Sequence, residues 1–383
     1  MAELVAALDR DTRDPGVGGL KSSPKYPWID VLRGIAILGV IAHHAALYVR
    51  GLGAPTKFIG GFGKMGVQLF FVASAITLCL STARRTERRP VLSFYLRRYF
   101  RIAPLYYLGI IFYALYSIPF NYFHGFGPHA DAAYNLPDIA ANILFVHGLY
   151  GPANNTVVPG GWSIATEMNF YTIFPLMFFL SEHYKMWRPA MAASIIVFCG
   201  AVEFAIGNLT GHWPWNTDLE YYSLLNQLPV FVIGILAYYL LQSSAIRRVP
   251  AAIAGALSLL VAGSLFNSQA HMAYYFIPIL CACAFSALAL ILSQLSVGYP
   301  TSLINIGKRS YSIYILHFAF LHIVLFGWSA LRIHLPPTLE CLVVFLLTLG
   351  FADLAAQFTE RQIERRGIDL GRRIISAVQT NRA

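Results

Sequence analysis

The chain has 383 residues, of which 57% are hydrophobic and only 12% charged. A soluble domain carries about 25% charge, so an ordinary water-dispersed enzyme and a disordered chain are both excluded. The formal charge of +10 comes from basic residues in short clusters between long apolar runs. That pattern fits a polytopic membrane protein rather than a nucleic-acid reader, whose basic residues would line a polar face.

Residues 1–28 carry both signs of charge and no apolar core, so they are not read as a signal peptide. A membrane-spanning helix needs about 20 mostly apolar residues. Ten stretches qualify: 29–49, 65–83, 99–119, 162–181, 189–207, 226–242, 250–267, 272–293, 310–332 and 338–358. The apolar stretch Leu136–Leu149 is too short to span and is expected to form a short interfacial or re-entrant helix. The fold class is therefore all-α, with about ten transmembrane helices. Three segments follow: an N-terminal tail 1–28, a membrane domain 29–358 and a basic C-terminal tail 359–383. No internal repeat is visible, which weakens a reading as an inverted-repeat transporter.

Basic residues set the expected orientation. With this alternation, 24 of the 28 Lys and Arg residues fall on one side. Both termini are then expected in the cytoplasm, in a multi-pass protein of the inner (cytoplasmic) membrane. Arg50, Lys57, Lys64 and Arg332 fall on the other side. All five Cys residues (Cys79, Cys199, Cys281, Cys283 and Cys341) lie in apolar segments, so neither a disulfide framework nor a metal site is expected.

Ionisable residues inside spans are costly and read as functional. In the first span Asp30 and Arg33 share a face, being three residues apart. Arg33 and His44 are eleven apart, close to three turns, so they share a stripe roughly 16 Å long. His43 points about 100° away, so His43 and His44 make a poor zinc pair. In the third span Arg98 and Arg101 share a face below Pro104. Two inward arginines suit a phosphate-bearing ligand through bidentate contacts. The fourth span opens Gly160-Gly161-Trp162-Ser163 and carries Glu167 and Tyr171. Counted from the span ends, Glu167 and His44 lie at equal depth, so a His44–Glu167 partnership is expected. The ninth span carries Tyr311, Tyr314 and His317 at near-helical spacing. No two histidines are expected to face each other across helices, which argues against an electron carrier.

Together these segments resemble the acyltransferase-3 family of polytopic membrane acyltransferases, over about residues 26–366. Asp30-Val-Leu-Arg33-Gly-Ile-Ala, followed by His44, resembles its Arg-x10-His signature. Gly66-Val-Gln-Leu-Phe70-Phe71-Val72-Ala-Ser74-Ala75 is similar to its G-V-x-x-F-F-V-x-S-G segment, with Ala75 where Gly is usual. Arg98-Tyr-Phe-Arg101 matches its Arg-x-x-Arg motif. Trp162-Ser163-x-x-x-Glu167-x-x-Phe170-Tyr171 resembles W-S-x-x-x-E-x-x-F-Y. Tyr311-Ser312-x-Tyr314-x-x-His317 resembles S-Y-S-x-Y-x-x-H. Ile363-Glu364-Arg365 resembles the terminal I-E-R-P, with Arg366 in place of Pro. Each motif is short, but six occur in the expected order.

The resemblance implies transfer of an acyl group, commonly acetyl, from cytoplasmic acyl-CoA to a hydroxyl of a carbohydrate or similar acceptor. Some members carry a fused extracytoplasmic hydrolase-like domain. None is recognised in 359–383, so the membrane domain is expected to act alone or to hand the acyl group to a partner. Acetyl-CoA is then a donor substrate, and no permanently bound cofactor or metal is expected. His44 is the candidate general base and Glu167 its orienting partner. Arg33, Arg98 and Arg101 are candidates for the CoA phosphates, with Tyr311 and Tyr314 lining the donor pocket. Asp30, Trp162, Ser163, Tyr171 and His317 are expected to support substrate or structure. The outer segments offer aromatic and acidic residues (Tyr122, Phe123, His124, His129, Tyr134, His147, Tyr150; Trp213, Trp215, Asp218, Glu220) that suit an exported or lipid-linked glycan. The partners expected are therefore acyl-CoA, a glycan and the lipid bilayer, with no nucleic acid. A proton-coupled transporter using the same Arg, His and Glu residues is the alternative, and an inactive scaffold a more distant one.

Overall fold

The computed structural model describes residues 26–124, 134–211, 219–243, 248–268, 270, 272–295, 298–332 and 334–380. The N-terminal tail 1–25 lies outside them. So do the side chains of Tyr122, Phe123, His124, His129, Trp213, Trp215, Asp218 and Glu220.

All ten expected spans are helices. They are α1 (Pro27–Tyr48) and, after a short α2 (Ala54–Phe62), α3 (Gly66–Ala83) and α4 (Pro90–His124). A short α5 (Leu136–Ile143) precedes α6 (Gly161–His183), α7 (Arg188–Thr210), α8 (Leu224–Gln242), α9 (Arg248–Ser268) and α10 (Ala273–Ser293). Then come a short α11 (Thr301–Lys308), α12 (Ser310–Ala330), α13 (Pro337–Thr359) and a terminal α14 (Arg365–Thr380). No strand occurs among the described residues. By length and apolar composition alone, eight stretches among them could cross a membrane. The helices α4 and α6 fall outside that group. They carry the arginines and Glu167 discussed below, so polarity rather than length sets them apart.

Large apolar side chains face outward along the bundle, among them Phe179, Phe198, Leu260 and Phe358, each more than 60% exposed. In water such a surface would drive association, whereas a bilayer covers it at no cost. The peripheral helices α7 and α9 are the least buried. The core lies around α1, α3, α8 and α10.

Close helix approach is set by small residues, as is usual where lipid removes the hydrophobic drive between helices. A methyl at Gly66 would overlap the Ala36 carbonyl oxygen, and one at Gly307 would overlap that of Asp30. These two glycines draw α3 and α11 against α1.

Three elements depart from the sequence reading. The third span begins at Pro90 rather than at residue 99, because proline is tolerated in a first helical turn. The helix expected over 136–149 stops at Ile143. Phe145 takes a positive φ of 58°, and two 3-10 turns follow, His147–Leu149 and Gly151–Ala153. The basic C-terminal stretch folds as α14, joined to α13 by a π-turn Glu360–Glu364. Gly367 and Gly371 of α14 lie against Phe100 of α4. Gln379 donates to Ser93 Oγ at 3.0 Å and accepts from the Arg88 backbone N–H at 3.1 Å.

The loop between α3 and α4 holds an ion-pair cluster. Arg97 contacts Glu87 at 2.6 Å and Arg85 contacts it at 3.3 Å. Partial burial pushes the Glu87 carboxyl up, but Arg97 and Arg85 outweigh it and hold the group below the usual carboxylate range. A depressed carboxyl stabilises the fold above its unfolded pKa and loses that contribution as pH falls through the folded value. Glu87→Gln is therefore expected to destabilise by roughly 0.2–1 kcal/mol at pH 7. In paired thermal melts the difference from the parent should disappear only as pH falls below the depressed Glu87 value.

Candidate functional site

Five helices, α1, α3, α4, α6 and α12, surround a partly open cavity. Its charged end is built by Arg33 of α1 with Arg98 and Arg101 of α4. Arg33 donates to Thr77 Oγ1 at 3.2 Å, and Arg98 donates to Ser81 Oγ at 3.3 Å. The Arg98 guanidinium lies 5.8 Å from the Tyr171 ring centre, a cation–π distance. Its Nε has no hydrogen-bond partner among the described residues. Nor, among those residues, does a carboxylate oxygen lie within 4 Å of any of the three guanidiniums. Arg309, by contrast, forms a two-pronged pair with Asp353 at 2.8 and 2.9 Å. Three convergent cations facing a single lining carboxylate, Glu167, with none of them in a direct ion pair, leave a net positive site that attracts an anion.

Glu167 of α6 also lines the cavity. Its carboxylate accepts hydrogen bonds from the Ser74 and Tyr171 hydroxyls. Tyr311 lines the wall and is anchored by donating to the Ile102 carbonyl at 2.8 Å. Ser163 donates to the Tyr314 hydroxyl at 2.8 Å, and that hydroxyl donates to the Gly160 carbonyl at 3.0 Å. Gly160 has φ of 78°, in the left-handed region, and a side chain there would meet the Tyr314 hydroxyl. Glycine is thus required both by the turn into α6 and by the tyrosine packed on it.

His44 does not line the cavity. It lies behind Tyr314, in a layer of rings. The His44 ring centre is 4.4 Å from Phe318 and 5.3 Å from His317. His317 is in turn 5.5 Å from Tyr314, whose ring packs against Phe70 in the cavity wall at 6.2 Å. The expected His44–Glu167 partnership is not formed, because Glu167 sits at the level of Ser74, close to the arginines. The depth count failed because α6 does not begin at the bundle surface. Buried chain from the 134–160 segment covers its start, with Val157 and Val158 at most 1% exposed. Glu167 is consequently deeper than its distance from the helix end suggested. The expectation that no histidines face each other across helices is also overturned: His44 on α1 and His317 on α12 do so.

The remaining sequence candidates divide. Ser163 and Tyr171 line the cavity. Trp162 stacks on Tyr222 at 4.5 Å and supports the wall from behind. Asp30 makes no ion pair with Arg33, which turns to Thr77 instead. His147 is no outer-loop ligand. It is fully buried, with Nε2 at 3.1 Å from the Gly161 carbonyl and 3.0 Å from the Tyr106 hydroxyl. The sequence reading named Ser74 only as part of a motif, without a role, and missed Thr77 and Ser81. Their spacing of three and four residues marks one polar stripe on α3, a signal visible in the sequence but masked by its apolar neighbours.

The chain matches the family described as an acyltransferase domain over residues 26–357. It is 26% identical over 390 residues to the peptidoglycan O-acetyltransferase OatA of Listeria monocytogenes, covering 90% of this chain and 57% of that protein. It is 26% identical over 375 residues to the O-acetyltransferase OatA of Staphylococcus aureus, covering 90% of this chain and 58% of that protein. The chain thus spans less than two thirds of the length of these curated relatives. No solved structure matches it.

Proposed function

Because the chain belongs to the acyltransferase domain family, we propose that it is a membrane O-acetyltransferase that moves an acetyl group from acetyl-CoA to a hydroxyl of a cell-envelope glycan. The observation that carries this reading is the cavity with three arginines, none of them in an ion pair, against one carboxylate. The end of the bundle holding those arginines faces the cytoplasm, where acetyl-CoA is available. Both termini lie on that side of the cytoplasmic membrane.

In this reading Arg33, Arg98 and Arg101 bind the CoA phosphates by charge-assisted hydrogen bonds. The long pantetheine arm runs past Glu167 and Tyr311 toward Tyr314, and the thioester reaches the histidine layer beyond. His44 takes the proton from the acceptor hydroxyl as its oxygen attacks the thioester carbonyl. The C–O ester bond forms, the C–S bond breaks, and the proton passes to the departing thiolate to give CoA thiol. The Ser163 and Tyr314 hydroxyls, each already donating within the protein, hold the wall between donor site and base in place. The acceptor is assigned to the glycan class because relatives bear the name O-acetyltransferase and one of them is named for peptidoglycan.

Comparison of two donors tests the reading in detergent-solubilised protein. Arg98→Gln is expected to raise KM for acetyl-CoA by roughly 10- to 100-fold, the value of one or two charged hydrogen bonds. The same change should leave KM for acetyl-pantetheine, which has no phosphate, within about twofold. Equal loss for both donors would remove the phosphate role. Absence of any labelled acetyl transfer by the parent would instead favour a transporter.

A further inference from the structure

We infer that His317 is the positioning residue for His44, the part that sequence spacing assigned to Glu167. The inference rests on the acetyltransferase reading above and concerns what orients its base.

His317 is wholly buried in α12. Its Nδ1 lies 2.6 Å from the Tyr314 carbonyl oxygen. A carbonyl only accepts, so Nδ1 carries the hydrogen and donates it. In the neutral ring Nε2 is then left as an acceptor. That atom is buried and has no hydrogen-bond partner among the described residues. A buried acceptor without a donor is costly, and in a site built around proton transfer it marks a place for a donor.

The histidines near His317 narrow the choice of donor. His43 has its Nδ1 at 3.1 Å from the Gly60 carbonyl, so it is committed to anchoring α2. His322 has its Nε2 at 3.4 Å from the Tyr48 hydroxyl. His44 and His317 remain for each other, with ring centres 5.3 Å apart and planes tilted by 39°. Phe318 packs against both rings, at 4.4 and 4.2 Å. A small rotation of His44 brings an N–H onto His317 Nε2. One nitrogen of His44 is then held as donor, and the other is presented as the lone pair that takes the acceptor proton. The chain Tyr314 carbonyl, His317, His44 has the order of a backbone orienter, a positioning ring and a base. Glu167 is thereby freed for the donor side of the cavity, where Ser74 and Tyr171 hold it.

Two substitutions at one position test this in the full-length protein, with acetyl-CoA as donor. Gln at 317 keeps an amide N–H for the Tyr314 carbonyl and an amide oxygen for His44, while Leu keeps the volume and removes both. His317→Leu is expected to lower kcat by about 10- to 100-fold or more, with KM for acetyl-CoA changed less than about twofold. His317→Gln is expected to recover at least a third of the parent kcat. If both variants lose activity equally, or if neither does, the positioning role is overturned while acetyl transfer by the parent stands. If the Leu variant melts earlier than the parent, the kcat ratio of Gln to parent decides, and a ratio below a tenth overturns the proposal. If the parent transfers no acetyl group, both this inference and the function it rests on fail.

Discussion

With His44 replaced by alanine, acetyl transfer is expected to fall by roughly 10²–10⁴-fold, the contribution of a positioned general base. Binding of acetyl-CoA is expected to persist, because the guanidiniums belong to the layer of Thr77 and Ser81, away from His44. The two readouts separate base from donor site: isothermal titration with CoA reports the arginines, and turnover of labelled acetyl-CoA reports the histidine. Transfer at more than a tenth of the parent rate would exclude His44 as base. Such a residue can lie outside the cavity proposed for the donor phosphates. Tyr314 contacts both compartments, through Phe70 on one side and His317 on the other.

The second large effect is expected at Gly307. Alanine there puts a methyl onto the Asp30 carbonyl oxygen, a backbone atom that no rotamer change can move. Overpacking of a core commonly costs about 1–3 kcal/mol, and backbone overlap lies at or above the top of that range. α11 would be pushed off α1, and with it the turn that leads into α12. The expected outcome is a sharp loss of monodisperse protein after extraction and an early melt of what remains. Gly327→Ala supplies the control. Gly327 lies inside α12, and a methyl there meets nothing within 4 Å. Helix propensity alone should then stabilise by up to about 1 kcal/mol. Equal behaviour of the two variants would show that close approach at Gly307 is unimportant.

Much of the fold is legible along the chain. All ten apolar stretches became helices, because a bilayer demands a run of about 20 apolar residues regardless of neighbours. Arg98 and Arg101 were legible as a pair from their three-residue spacing, and Arg33 was placed on the His44 stripe of its own helix by an eleven-residue spacing. The ends of elements were less so. The stretch 136–149 is apolar throughout, yet its helix stops at Ile143 where Phe145 takes a left-handed turn. α14 was hidden by its charge: Gly367, Gly371 and Ile375 form a narrow buried stripe amid exposed arginines.

What the sequence determined by itself is local: which segments are helices, which face of each carries charge, and which chemistry those charges suit. These follow from hydropathy and the 3.6-residue period, which act within a few turns. What only the tertiary structure decided is partnership. Glu167 joins Ser74 and Tyr171, and His44 joins His317, because buried chain between α4 and α6 sets the depth at which α6 starts and because α12 crosses beside α1. Such pairings depend on where separate helices are placed along one another, and a shift of one turn moves a side chain by about 5.4 Å. That is enough to exchange one partner for another, and no spacing within a single helix records it.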